Sequence, residues 1–245
     1  MALKGVVLAG GTGSRLAPLT RVTNKHLLPV YDEPMVYYPI RMLAEAGIRD
    51  VMVVTGGDSA GDFLKLLRNG QDFGLEHIHY GYQQGAGGIA EALGLTRYFV
   101  GDDDVVVVLG DNILENPISG AVQRFREQDG GARILLKQVH DPERFGVAEL
   151  DGERVTSIVE KPKEPRSDLA VIGVYMYDNS VFDIVDGLER SDRGELEITD
   201  VNNAYLARGA LQAERIEGWW TDAGTFDSLF RANELVRATK RGGTA

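Results

Sequence analysis

The chain has 245 residues, enough to bury one sizeable core without a disulfide or metal staple. It contains no cysteine, which excludes disulfides, thiolate catalysis, iron–sulfur clusters and cysteine-ligated zinc. Lys and Arg number 26 against 37 Asp and Glu, a formal net charge of −11 that disfavours nucleic acid and anionic membranes as partners.

The N-terminus runs directly into an apolar strand pattern and shows no signal peptide. No apolar run approaches the roughly 20 residues of a membrane helix. A cytoplasmic protein is therefore expected. If its substrate is a phosphate, local cations or a metal must overcome the acidic field.

Gly5–Ala9, Asp50–Thr55 and Asp104–Leu109 are near-continuous β-branched runs, the pattern of strands buried on both faces. Between them lie helical patterns. Met35–Ala46 places Met35, Tyr38, Met42 and Ala46 on one face, Phe63, Leu64 and Leu67 follow Asp62, and Ile89–Phe99 keeps helical spacing. This alternation predicts α/β architecture, a three-layer α/β/α sandwich with a mainly parallel Rossmann-like sheet. After Gly130 the rhythm changes. Ala132–Val139, Phe145–Glu149, Arg154–Glu160 and Ala170–Tyr177 read as strands with few helices between, and Thr225 opens a helix through Val236. Residues 240–245 read as a disordered tail.

Gly10-Gly11-Thr12-Gly13-Ser14-Arg15-Leu16 follows the first strand. Glycines let backbone N–H groups approach a phosphate beyond the carboxyl end of a strand. Two familiar phosphate loops are excluded by residues. The dinucleotide fingerprint needs a third glycine where Leu16 stands, and no Gly-Lys pair for a P-loop occurs anywhere.

The run continues through Pro18-Leu19-Thr20 to Asn24-Lys25-His26-Leu27-Leu28-Pro29-Val30 and Tyr31-Asp32-Glu33-Pro34-Met35-Val36-Tyr37-Tyr38-Pro39-Ile40. This pattern resembles the signature of the sugar-1-phosphate nucleotidylyltransferases, and within that family the glucose-1-phosphate thymidylyltransferases. The resemblance extends from Gly5 to about Val236. It implies one nucleotidylyltransferase domain over residues 1–239, its N-terminal half binding nucleotide and its C-terminal half sugar phosphate. Longer members carry extra C-terminal helices with a regulatory site, for which no counterpart is expected after Val236.

The resemblance also implies roles. Leu8, Gly10, Gly11, Thr12 and Gly13 bind the nucleotide, with Arg15 and Lys25 as the catalytic cations. Gln83 and Gly88 read the base; a glutamine amide has the donor and acceptor a pyrimidine edge needs. Asp111 and Asp222 hold one Mg²⁺. For Asp222 the alternative is a cap for the helix that follows, which the resemblance outweighs. Gly146, Glu160, Lys161, Gly173 and Glu195 bind the sugar phosphate, while Glu197 and Asp200 read equally as first-turn acids of a helix. His26 lies in the signature where many members carry Gln; a nucleotide contact is expected of it, not a base role. His77, His79 and His140 show no metal-ligand spacing.

The implied reaction is dTTP plus α-D-glucose 1-phosphate giving dTDP-glucose and pyrophosphate. UTP or another hexose 1-phosphate remains open at this point, as does a non-catalytic nucleotide-sugar binding protein. Retention of Arg15, Lys25 and both aspartates favours an enzyme. A homo-oligomer fits the resemblance; nucleic acid and membrane partners do not.

Overall fold

The computed structural model describes residues 2–242. The chain divides into two compact units. One comprises the described residues of Gly5–Ala86, Val108–Ser119 and Gly218–Ala245; the other those of Met1–Lys4, Gly87–Val107 and Gly120–Glu217.

In the first unit Gly5–Ala9 of the strand Leu3–Ala9 runs parallel to Asp50–Gly56, and that strand to His77–Gln83. Ala9 pairs with Thr55, and Gly56 with Gln83, so the carboxyl ends align. Val6, Val7 and Val51 through Val54 are fully buried, as continuous apolar runs require. The intervening helices are Tyr37–Glu45 and Ala60–Leu67. In the second of these Phe63 and Leu67 are buried but Leu64 is exposed. Residues four apart share a helix face, whereas an adjacent residue lies about 100° around it.

A second core in this unit positions its loops. Leu16, Leu28, Val30, Met35, Ile113, Ala223, Ala232 and Val236 form one buried cluster. It gathers five segments distant in sequence. The short antiparallel pair Asn112–Leu114 and Trp220–Asp222 lies at its edge, with Asp222 opposite Asn112. The hairpin Pro29–Pro34 is tied to the last helix, Phe226–Gly242, where Asn233 Oδ1 accepts the Tyr31 N–H and Lys240 pairs with Asp32 at 2.7 Å. Lys240, Arg241 and Gly242, expected in a tail, are the last turn of this helix; 243–245 lie outside the described residues.

The second unit is built on antiparallel pairs. Arg154–Glu160 pairs with Gly146–Asp151, and Leu169–Tyr177 with Ala132–Gln138 and the start of Gly146–Asp151. Leu211–Arg215 adds in parallel to Ala132–Gln138. Two helices follow the strands, Val181–Asp186 and Ile198–Ala207, the second beginning where Glu197 and Asp200 read as helix-start acids. The helix expected over Ile89–Phe99 is two, Ile89–Gly94 and Arg97–Val100. Gly94 weakens the join, and a side chain there would press on Val185 at 3.1 Å.

Candidate active site

Each residue of the proposed phosphate centre sits within three positions of a member of the buried cluster. Arg15 precedes Leu16, Lys25 leads to Leu28, Asp111 to Ile113, and Asp222 precedes Ala223. Burial of the apolar neighbours therefore aims the polar residues. The geometry around Gly224 records the result. A Cβ built there would lie 3.3 Å from Arg15 Nη2, 3.4 Å from Asp222 Oδ2 and 3.6 Å from Asp111 Oδ2. Gly224 thus lines a cradle that two carboxylates and a guanidinium share.

The alternative role of Asp222 as helix cap is settled by hydrogen bonds. The helix begins at Phe226, and the Ser228 N–H donates to Thr225 Oγ1 while the Thr225 N–H donates to Ser228 Oγ. Thr225 is the cap, and Asp222 ends a strand whose register sets it opposite Asn112, the neighbour of Asp111. The Ala223 N–H donates to the Asp111 carbonyl at 2.8 Å.

Asp111 is 9% exposed. Burial pushes its carboxyl pKa up, but Lys25 foremost, then His26 and the Asn112 amide, hold it well below the usual carboxylate range. Lys25 Nζ lies 2.5 Å from its Oδ2. The oxygen donors and the cradle fit a hard divalent cation.

His26 is buried at 1% exposure. Its Nδ1 lies 2.7 Å from Asn24 Oδ1, which also accepts the His26 N–H. Burial first, then the Lys25 ammonium, lowers its pKa to about 3. A neutral imidazole so low is no general base near neutrality. Its ring packs on Gly110, where a Cβ would fall 2.7 Å from the ring.

In the glycine loop, Gly11 (φ 90°) and Gly13 (φ 60°) use left-handed backbone, which favours glycine. Gly10 instead leaves room for a neighbour, since a Cβ there would lie 2.9 Å from Gln83 Oε1. Gln83, 5% exposed, is thereby laid against the loop. Leu8 contributes its carbonyl to Gly110 N–H at 2.9 Å. Thr12 is exposed beside these glycines.

The second unit gathers a polar cluster of its own. Thr199 Oγ1 donates to Glu160 Oε2 at 2.6 Å, and a Cβ on Gly146 would lie 3.1 Å from Thr199 Oγ1 and 3.5 Å from Glu160 Oε2. Lys161 Nζ is 3.2 Å from Glu160 Oε1. Lys161 holds φ 43°, a strained value for a residue with a side chain, and its N–H donates to the Phe145 carbonyl. Gly173 lies where the ladder between Leu169–Tyr177 and Ala132–Gln138 breaks register. Gly88 (φ 102°) has a local reason to be glycine: a Cβ would fall 2.3 Å from the Leu196 carbonyl.

Arg193 is the residue the sequence reading missed. It joins Glu197 at 2.8 Å, Glu160 at 3.4 Å and Glu195 at 3.4 Å. Burial opposes its charge, but these carboxylates hold its pKa above the ordinary value. The signal available was a cation four residues before an acid at a helix start. Of the two glutamates, Glu197 is the buried one, accepting from Ser191 and Arg193; Glu195 is the more exposed. Asp200 is pushed up by burial, then by Glu197 and Glu160.

His77 and His79 share a strand face with ring centroids 6.2 Å apart. Among the described residues His77 groups with Asp50 and Glu76 at the amino ends of the parallel strands, the ends opposite the glycine loop.

The family description "nucleotidyl transferase" matches residues 4–239. The chain belongs to the nucleotidyl transferase family. It is 46% identical over 239 residues to a glucose-1-phosphate thymidylyltransferase of Mycolicibacterium smegmatis, covering 96% of this chain and 82% of that one. It is 43% identical over 247 residues to a low-salt glycan biosynthesis nucleotidyltransferase of Haloferax volcanii, covering 99% and 69%. A solved Bacillus anthracis structure, assigned as a glucose-1-phosphate thymidylyltransferase and bound to sucrose, is 53% identical with a TM-score of 0.93 over 96% of both chains. UDP-glucose pyrophosphorylase, 22% identical with a TM-score of 0.85, shares the fold. This nucleotidyl transferase is thus an enzyme of the expected α/β class, its sheet mixed. No helix among the described residues is long and apolar enough to cross a membrane.

Proposed function

We propose that the protein is a glucose-1-phosphate thymidylyltransferase, joining dTTP and α-D-glucose 1-phosphate into dTDP-glucose with release of pyrophosphate. The observation that carries the reading is the convergence of Arg15, Asp111 and Asp222 on Gly224, with Lys25 on Asp111. Relatives near 45% identity that bear this name supply the substrates.

A phosphate oxygen of the sugar phosphate attacks the α-phosphorus in line, forming one P–O bond as the bond to pyrophosphate breaks. The nucleophile is already an anion, so no buried base is needed, in keeping with a neutral His26. The work is positioning and charge neutralisation. The N–H groups of Gly10, Gly11, Thr12 and Gly13 hold the triphosphate, beside the strand end contributed by Leu8. Arg15 neutralises the departing pyrophosphate and Lys25 the α-phosphate. Gln83 reads the base edge, with Gly88 nearby in the same segment. Asp111 and Asp222 would hold Mg²⁺, which when bound orients the phosphates and withdraws charge from them.

In the second unit Glu160 takes sugar hydroxyls against Gly146 and Gly173, Lys161 takes the sugar phosphate, and Glu195 borders this cluster with Arg193. Catalysis by Arg15 is tested by Arg15→Ala with circular dichroism and steady-state kinetics. We expect an intact fold and a loss of about 10²–10³ in kcat, the usual cost of one charge-stabilising donor. Near-normal turnover would overturn the assignment. Chelation by EDTA should abolish turnover and Mg²⁺ restore it.

A further inference from the structure

Both oxygens of the Asp111 carboxylate are engaged within the protein. Lys25 Nζ holds Oδ2 at 2.5 Å, and Asn112 Nδ2 donates to Oδ1 at 2.9 Å. The pair is largely withdrawn from water, the Lys25 and Asp111 side chains being 15% and 12% exposed. Screening is therefore weak, and each charge depends on the other.

The charges near Gly224 are balanced. Asp111 and Asp222 supply two negative charges, Arg15 and Lys25 two positive. A free divalent cation would meet the ammonium at Oδ2 and compete with it, and would leave two positive charges unmatched. A cation carried by a triphosphate arrives with the compensating negative charge. The displaced ammonium then finds phosphate oxygens as new partners.

The backbone on either side of Lys25 is fixed. Asn24 Nδ2 donates to the Ala9 carbonyl, the His26 N–H donates to Asn24 Oδ1, and the Leu28 N–H donates to the Lys25 carbonyl. The exchange of partners is thereby confined to the flexible lysine stem.

We propose that Lys25 is a counterion latch on Asp111, closing the metal site to free divalent cations and releasing it when the metal arrives with the nucleoside triphosphate. The proposal rests on reading Asp111 and Asp222 as the metal ligands. No bond to hydrogen or phosphorus changes in this step; only ion partners do.

The test is Mn²⁺ binding to the full-length protein, followed by electron paramagnetic resonance of free Mn²⁺, with no nucleotide present. Lys25→Met is expected to bind Mn²⁺ about tenfold more tightly than the unaltered protein, the scale of releasing one partner of a close charge pair. Lys25→Arg, which keeps the charge, is expected to stay near the unaltered value. Adding dTTP is expected to tighten Mn²⁺ binding in the unaltered protein. A folded Lys25→Met protein that binds Mn²⁺ no more tightly would overturn the latch. The double variant Lys25→Met with Asp111→Asn separates the two readings: loss of the tight site supports Asp111 as ligand, whereas tight binding retained there would overturn the ligand reading itself.

Discussion

Asp222 lies directly across an antiparallel strand pair from Asn112, the neighbour of Asp111. That single register brings together two carboxylates more than a hundred residues apart. The pairing is only three residues long, so it draws its stability from the apolar cluster beside it, through Ile113 and Ala223. Core packing and site geometry are the same construction here.

Leu16→Ala tests that coupling. Leu16 is fully buried in the cluster and adjacent to Arg15. Truncation of a buried leucine costs about 2–5 kcal/mol, measured by urea unfolding. The loss of kcat/KM is expected even where the variant is fully folded, because Arg15 loses its anchor. Full activity in the folded variant would separate the cluster from the site.

Gly10→Ala places a methyl 2.9 Å from Gln83 Oε1. The amide must move, and the hydrogen bond expected to the base is weakened. The KM for nucleotide should rise roughly five- to tenfold, about the net value of one hydrogen bond, with the KM for sugar phosphate unchanged. Equal changes in both would contradict the assignment of Gln83 to the base.

The pH dependence of stability carries the signature of His26. Its pKa is about 3 in the folded protein, against 6.5 for the free side chain. The unfolded chain therefore binds the extra proton between these values, and stability falls as pH falls from 6.5 toward 3. Its contribution is fully present above 6.5. Asp111, whose pKa is depressed, loses its contribution only below the ordinary carboxylate range, whereas Asp104 and Asp200, pushed up by burial, act in the opposite sense to His26, so the difference between the unaltered protein and His26→Gln over about pH 4 to 6.5 isolates His26. Urea midpoints across that window should fall in the unaltered protein and flatten in His26→Gln.

Arg68 holds φ 50° and ψ −122° at the end of helix Ala60–Leu67. Gly101 closes helix Arg97–Val100 with nearly the same angles, φ 61° and ψ −125°. The strain of a side chain there is of order 1–3 kcal/mol, partly offset by the greater entropy glycine loses on folding. Arg68→Gly is expected to stabilise by about 1 kcal/mol in urea unfolding, and Arg68→Ala to give no such gain.

The strands with continuous apolar runs were legible because burial on both faces leaves no other reading of Val51–Val54 or Val105–Val108. Gly11 and Gly13 were legible as a turn because left-handed backbone favours glycine; the role expected of Lys25 came from the family resemblance. Asp222 was ambiguous: a cap and a strand-end residue look alike until Thr225 takes the capping bonds. Arg193 was missed because its partners, Glu160 and Glu197, lie on a strand and at a helix start that only tertiary packing brings together. The break at Gly94 likewise depends on Val185, a contact with no trace in local periodicity.

The acidic balance of the chain takes on a different meaning in this light. The net charge of −11 is global, whereas at the proposed phosphate centre two acids, Asp111 and Asp222, stand against two bases, Arg15 and Lys25. The acids there are the ligands proposed for the metal.

The most direct measurement of the central claim is pyrophosphate release in a matrix of dTTP, UTP, CTP, ATP and GTP against glucose 1-phosphate and other hexose 1-phosphates, with Mg²⁺ present. The account predicts the highest kcat/KM for dTTP with glucose 1-phosphate, and dTDP-glucose as the product. Binding of dTTP without pyrophosphate release, or a higher kcat/KM for another pair, would contradict it.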